Sequence, residues 1–94
     1  GGVMADKQRV LVIAATHDRA REYISRLPDD KDYYPAVVCD RFPGRRFNDV
    51  LLVFGWDVGY DIGIVRQWLR EQVLTRAMTA DASRLIRSKV PWQD

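Results

Sequence analysis

Hydrophobic residues in this chain occur in three short continuous runs, separated by stretches in which they recur at helical spacing. The runs are residues 10–15, 36–39 and 50–54, and none of them shows polar alternation. Such runs indicate strands buried on both faces, as in a parallel sheet covered by helices. The third run lies between Asp49 and Gly55, and we expect the rest of the fold to be arranged around it.

Two amphipathic helices are predicted between and after these strands. Apolar residues recur at helical spacing in the segment 20–27, behind Thr16 as a plausible N-cap. A longer helix, for which Asp61 is a possible cap, carries a broad apolar stripe that extends to Met78. A short last helix is predicted from about residue 81 to residue 89.

The element order is therefore β-α-β-loop-β-α-α. Right-handed crossover connections place the first strand in the centre, which gives the sheet the spatial order 2-1-3. We predict an α/β fold, a minimal Rossmann-like three-layer domain with a short parallel sheet and two or three helices, over residues 4–94. An antiparallel pairing of the second and third strands, through the connection 40–49, is the alternative. Gly1–Val3, ahead of Met4, are interpreted as the remnant of an expression tag.

Composition narrows the class of protein. The chain is 47% hydrophobic and 30% charged, a balance that is typical of a folded domain. No apolar run approaches the ~20 residues of a membrane-spanning helix, so no membrane partner is predicted. The single cysteine, Cys39, excludes an internal disulfide and a multi-cysteine zinc site, and it indicates a reducing, cytoplasmic setting. Because Cys39 lies in an apolar run, we expect its side chain to be buried.

Polar residues follow each predicted strand. The carboxyl ends of parallel strands lie at one edge of a sheet, where ligands bind in open α/β folds. The candidate ligand or partner residues at this edge are Thr16, His17, Asp18, Asp40, Arg41, Trp56 and Asp57.

Four of these residues have both a chemical and a structural interpretation. His17, beside Asp18 and Asp57, could act as a general base, or it could be a solvated residue in the first turn of a helix. Asp40 and Asp57 could coordinate magnesium, or they could cap turns. Trp56 could stack on a nucleic-acid base, or it could cover the end of the core.

Motifs of catalysis and cofactor binding are missing from the sequence. The turn 14–18 contains no glycine, so it is neither a dinucleotide-binding loop nor a P-loop. There is no nucleophile elbow and no metal-spaced set of cysteine and histidine. We therefore predict no catalytic residue, no metal and no cofactor. Arg45 and Arg46 are candidates for phosphate or nucleic-acid contact, with a solvated loop as the alternative.

The segment Arg41-Phe42-Pro43-Gly44-Arg45-Arg46-Phe47-Asn48-Asp49-Val50-Leu51-Leu52-Val53 resembles the lead-in to the Walker-B strand of helicase and terminase ATPases. It also resembles small Rossmann-like accessory proteins of actinobacterial phages. In the ATPases this strand ends in acids that hold magnesium, whereas here Gly55 and Trp56 stand in that place and Asp57 is displaced. The resemblance implies a sheet that has lost hydrolysis and kept a binding role.

Together these patterns predict a non-catalytic protein-interaction module. The resemblance implies a phage accessory protein that acts on a host partner, and the apolar stripe of the long helix suggests a homodimer as the alternative partner. A second hypothesis is nucleic-acid or nucleotide binding through Arg45, Arg46 and Trp56. An enzyme that uses the edge containing His17 and Asp57 is the third.

Overall fold

The computed structural model describes residues 7–75 and Arg84, and it shows an α/β fold built on three parallel strands. The strands are β1 (Arg9–Ile13), β2 (Asp32–Ala36) and β3 (Asp49–Leu52). Both outer strands run parallel to β1, so the sheet has the order β2-β1-β3. The predicted α/β class, the sheet order and the parallel direction of all three strands are confirmed.

Helices follow β1 and β3. Their bounds are α1 (His17–Ser25), α2 (Ile62–Trp68) and a π-helical continuation of α2 (Leu69–Leu74). Thr16 caps α1, because its Oγ1 accepts a hydrogen bond of 3.1 Å from the Arg19 amide. Asp61 caps α2 in the same way, through a 2.9 Å bond from the Gly63 amide. Both predicted caps are confirmed.

The predicted end of the long helix at Met78 lies outside the described residues. So does the predicted last helix at residues 81–89, apart from Arg84, which is helical and exposed. Within the described part of the chain, no helix is both long enough and apolar enough to cross a membrane.

The sheet divides the core into two apolar layers, because successive side chains of a strand point to opposite faces. The first layer lies under α1 and contains the buried residues Val10, Val12, Ala14 and Ala20. The second layer lies under α2 and the connection between β2 and β3, and its largest buried residues are Leu11, Ile13, Phe42, Phe47, Trp56, Trp68 and Leu69. The connection therefore covers part of one face of the sheet, and α2 with its π-helical continuation covers another part of it.

The second strand begins four residues earlier than the apolar run predicted. β2 spans Asp32–Ala36, so the prediction that the second strand occupies residues 36–39 is wrong. The strand forms here because Asp32 to Ala36 pair in register with the whole of β1. Pro35 is tolerated inside the strand because β2 is an edge strand, where a missing amide donor leaves no neighbour unpaired.

The expected burial of Cys39 is also wrong. Its side chain is exposed, and its backbone φ of +80° lies in the left-handed region that non-glycine residues rarely adopt. The residue sits in a turn closed by a 3.1 Å hydrogen bond from the Asp40 amide to the Val37 carbonyl. Val38 enters the core from this turn, so its neighbour faces solvent.

This strain leads to a stability prediction for Cys39. Replacing it with glycine is expected to raise the free energy of unfolding by about 0.5–1 kcal/mol in urea titrations. A left-handed conformation costs an L-residue about 1–2 kcal/mol, whereas glycine loses roughly 0.5–1 kcal/mol through its more flexible unfolded chain. Cys39→Ala keeps the Cβ atom and is the control. Equal stability gains in both variants would show that the thiol, and not the backbone strain, is responsible.

The third strand is shorter and less buried than expected. β3 ends at Leu52, and although Val50 is fully buried, the side chain of Phe54 is 99% exposed. The chain turns directly after the strand, through a 2.9 Å bond from the Trp56 amide to the Val53 carbonyl. Gly55 supplies the positive φ of +87° that the third position of this turn needs. The prediction of burial on both faces up to Phe54 is therefore wrong.

Candidate functional site

Two of the seven residues predicted for the carboxyl edge of the sheet are joined by a side-chain hydrogen bond. His17 opens α1, Asp40 ends the turn after β2, and their Nε2 and Oδ2 atoms lie 2.7 Å apart. The side chains are 46% and 28% exposed. Parallel strands thus bring these residues together at one edge, as the sequence predicted, although 22 residues separate them in the chain.

Asp40 connects three parts of the fold. Besides His17, its Oδ2 atom accepts a 3.1 Å hydrogen bond from the Val37 amide. Its main-chain oxygen accepts a 2.7 Å bond from the indole Nε1–H of Trp68 in α2. The carboxylate that would orient His17 in a catalytic pair also closes the turn after β2, so these contacts give Asp40 a structural role.

The other predicted edge residues make separate local contacts. The Thr16 hydroxyl is occupied as the cap of α1, and Asp18 pairs with Arg21 of the same helix at 3.1 Å. Trp56 is only 7% exposed and lies in the core, which confirms the structural interpretation of this residue. Asp57 is exposed, and its main-chain oxygen accepts a bond from Tyr60. Between residues 7 and 75 and at Arg84, no group of three or more possible ligand side chains is placed to hold a metal ion.

Arg41 is exposed beside a small cleft of about 210 Å³. The cleft is lined by Cys39, Arg41, Ile64, Gln67, Trp68, Glu71 and Gln72. It therefore lies between the turn after β2 and the outer face of α2. Its exposed apolar member, Ile64, belongs to a larger apolar surface.

That surface is the segment Phe54–Ile64, called here the apolar segment. It joins β3 to the first turn of α2 and exposes five large hydrophobic side chains: Phe54 (99%), Val58 (71%), Tyr60 (39%), Ile62 (43%) and Ile64 (51%). In the described residues, one other large hydrophobic side chain, Tyr23, is exposed. Sequence reasoning missed this surface because Phe54 continues an apolar run and the other four alternate with loop residues.

The apolar segment is held in shape by its backbone. Successive turns are closed by amide hydrogen bonds from Trp56 to Val53, from Val58 to Gly55 and from Tyr60 to Asp57, at 2.9–3.3 Å. The buried indole of Trp56 fixes the start of the segment to the core, and the Asp61 cap fixes its end. The exposed side chains are therefore presented by an ordered backbone.

A larger cleft, of about 570 Å³, lies at the amino ends of the strands, and we call it the basic cleft. It is lined by Arg9, Ile24, Asp29, Lys31, Asp32, Tyr33, Tyr34, Arg45, Arg46 and Phe47. Its location follows from Arg9 and Asp32, which are the first residues of β1 and β2. Arg45 and Arg46 thus lie at the opposite edge of the sheet from Trp56, which follows the end of β3.

The two arginines are held by a short, ordered segment. A 3.2 Å hydrogen bond from the Arg45 amide to the Phe42 carbonyl closes a turn, with Gly44 at a φ of +71° in its third position. Phe42 before the pair and Phe47 after it are both buried. The guanidinium carbon of Arg45 lies 4.6 Å from the ring centroid of Tyr34, a cation–π contact that limits its freedom further.

Tyr33 forms part of the wall of the basic cleft. Partial burial raises the pKa of its phenol from the ordinary tyrosine value, and the charge and hydrogen bonding of Asp30 and the charge of Asp29 add to the rise. A raised pKa favours the neutral form, so the phenol stays protonated through the neutral pH range. It therefore adds no negative charge to the cleft.

No family model, curated protein or solved structure matches this chain. The resemblance of residues 41–53 to the Walker-B lead-in and to phage accessory proteins therefore stays a prediction. The argument for function rests on the two surfaces described above, the apolar segment and the basic cleft.

Proposed function

We propose that this protein is a non-catalytic interaction module that binds a protein partner through the apolar segment. The observation that carries the proposal is the concentration of exposed hydrophobic side chains: five of the six in the described residues lie within Phe54–Ile64. Scattered single hydrophobic residues are normal on a protein surface, whereas exposed hydrophobic side chains concentrated in one short segment favour an interaction site.

Phe54 is the expected centre of this contact. Its side chain is 99% exposed, so nearly all of its apolar area is available to a partner. Full burial of such a side chain contributes about 1.5–3 kcal/mol. Because the turns already order the backbone, little conformational entropy is lost on binding. Asp57 and Asp61 supply exposed polar positions in the same segment, as in an interface with an apolar centre and a polar rim.

The partner is another protein or a second copy of this chain. A homodimer through the predicted stripe of the long helix is disfavoured, because Val65, Trp68 and Leu69 are buried in the protein's own core. The apolar segment leaves self-association open as an alternative. A host protein is the partner that the resemblance to phage accessory proteins implies, and the single, free Cys39 fits a cytoplasmic setting.

A site-specific crosslinking experiment tests this proposal. A photoreactive phenylalanine analogue at position 54 is expected to crosslink to a protein in cells that make this chain naturally, because a bound partner covers that side chain. The same analogue at Tyr23, which is 40% exposed on α1, is the matched control and should give no such product. Sedimentation equilibrium of the purified protein then distinguishes a second copy from another protein.

The expected effect of Phe54→Asp is loss of partner binding or of self-association without loss of stability, since Phe54 makes no contribution to the buried core. Monomer at all concentrations, together with no crosslink at position 54, would contradict the proposed surface.

Nucleic-acid or nucleotide binding remains the second candidate function. The basic cleft supports it as far as Arg45 and Arg46 are concerned, because both side chains line the cleft. Trp56 does not support it, because this side chain is buried at the other edge of the sheet. The charge and shape of the cleft favour a more specific ligand class.

A further inference from the structure

We propose that the basic cleft is a binding site for a small ligand that carries at least two negative charges on phosphate-type oxygens. The cleft and the apolar segment lie at different edges of the sheet, so this inference is independent of the proposed protein contact. It deepens the second candidate function by naming the ligand class.

The first argument is an excess of positive charge without ion pairs. Four cationic side chains line the cleft: Arg9, Lys31, Arg45 and Arg46. Among the ion pairs between described residues, which include Lys7–Asp29, Arg21–Asp18 and Arg26–Glu22, none involves these four side chains. Four cations that face one concavity repel each other, and an anionic ligand relieves this repulsion.

The second argument concerns Asp29 and Asp32, the two acidic residues that line the basic cleft. Asp29 lies 4.0 Å from Lys7, which offsets part of its charge, whereas Asp32 is exposed at the start of β2. The four cations therefore outnumber the acids at the site.

The third argument is preorganisation. Arg45 and Arg46 project from a segment of four residues between the buried rings of Phe42 and Phe47. The turn at Gly44 and the contact of Arg45 with Tyr34 limit the conformations of this pair before any ligand binds. Guanidinium groups match phosphate oxygens through two parallel hydrogen bonds, so a prearranged pair suits a ligand with two charged groups.

The size of the site decides between a small molecule and a nucleic acid. A volume of about 570 Å³ is within the usual range for small-molecule sites, roughly 300–1,000 Å³. Non-specific nucleic-acid binding uses a row of cations that follows the phosphates over many residues. Here the cations surround one cleft, and the acid Asp32 interrupts them.

Isotope-edited NMR titration with inorganic pyrophosphate tests the proposal. Saturable shifts are expected for the amide signals of Lys31, Tyr34, Arg45 and Arg46, with a Kd below about 1 mM. Arg45→Ala/Arg46→Ala should weaken binding by about tenfold or more, because each hydrogen bond to a charged group is worth at least one factor of ten. The matched control, Arg19→Ala/Arg26→Ala, removes one exposed arginine in α1 and one directly after it. Neither lines the cleft, so the Kd should be unchanged.

Three outcomes overturn the proposal. They are the absence of saturable shifts with pyrophosphate, an equal loss of binding in the two double variants, and binding of a short oligodeoxythymidylate without binding of pyrophosphate. The last outcome, with steep salt dependence, identifies a nucleic-acid surface. None of these variants changes position 54. A negative result with pyrophosphate would therefore rule out the basic cleft as a ligand site without contradicting the proposed protein contact at the apolar segment.

Discussion

Replacing Trp68 with alanine is expected to lower the free energy of unfolding by about 3–5 kcal/mol, the usual cost of removing a buried aromatic side chain. Trp68 is 6% exposed, and its ring centroid lies 6.2 Å from that of Phe42. It therefore connects α2 to the segment that crosses the sheet. The loss is a large fraction of the 5–15 kcal/mol that is typical of a small domain.

The contribution of the indole hydrogen bond is separable from that of packing. Trp68→Phe retains a ring but removes the Nε1–H group that donates to the Asp40 carbonyl at 2.7 Å. We expect this variant to lose about 1–3 kcal/mol, since an unpaired, partly buried carbonyl costs that much, and the smaller ring leaves some space unfilled.

Urea unfolding, followed by far-ultraviolet circular dichroism, measures both variants. Gln67→Ala is the control, because this neighbour on α2 is exposed and bonds only to Glu71 on the same helix in the described residues. It should change stability by less than about 0.5 kcal/mol. A change at Trp68 no larger than that at Gln67 would show that α2 does not depend on this packing.

Phe47→Ala is the second substitution with a large expected effect, again a loss of about 3–5 kcal/mol in the free energy of unfolding. Phe47 is 2% exposed, and its ring centroid lies 5.5 Å from that of Phe42 and 5.9 Å from that of Tyr34. These three rings hold the connection between β2 and β3 against the sheet. Since the connection between β2 and β3 forms no helix, these rings supply much of its apolar burial.

Phe47 also anchors the arginines of the basic cleft, so its loss has a second consequence. Even where a Phe47→Leu variant stays folded, pyrophosphate should bind more weakly, because the segment that carries Arg45 and Arg46 is less ordered.

The stability effect of Phe47→Ala is measured by urea unfolding. Arg46→Ala is its control and should unfold at the urea concentration of the parent protein, since Arg46 is exposed. Normal stability of Phe47→Ala would show that the aromatic cluster does not support the connection.

The placement of the two surfaces follows from the connection between β2 and β3. This connection leaves β2 at the carboxyl edge and enters β3 at the amino edge, because the strands are parallel. It carries Arg45 and Arg46 to the amino edge, where they join Arg9 and Lys31. The carboxyl edge, where ligands bind in most open α/β sheets, is instead occupied by the His17–Asp40 contact and the buried Trp56.

The sequence predicted correctly those features that depend only on neighbouring residues, such as the helix caps. Thr16 and Asp61 cap their helices as expected, because a cap requires only a side-chain oxygen within a few residues of free amides. Burial was predicted less well: Cys39 and Phe54 belong to apolar runs but are exposed. A run of hydrophobic residues does not indicate where the chain turns, and in both places a turn directs one side chain of the run outward.

By itself, the sequence determined the order of the strands and helices up to α2, the parallel sheet with β1 in its centre, and both helix caps. These follow from periodicity, from capping chemistry and from the handedness of crossovers. Only the tertiary structure decided the pairing register that begins β2 at Asp32, the exposure of Phe54 and the meeting of Arg9, Lys31 and Arg46 in one cleft. The physical reason is that register and surface position depend on contacts between residues far apart in the chain, which no local pattern encodes.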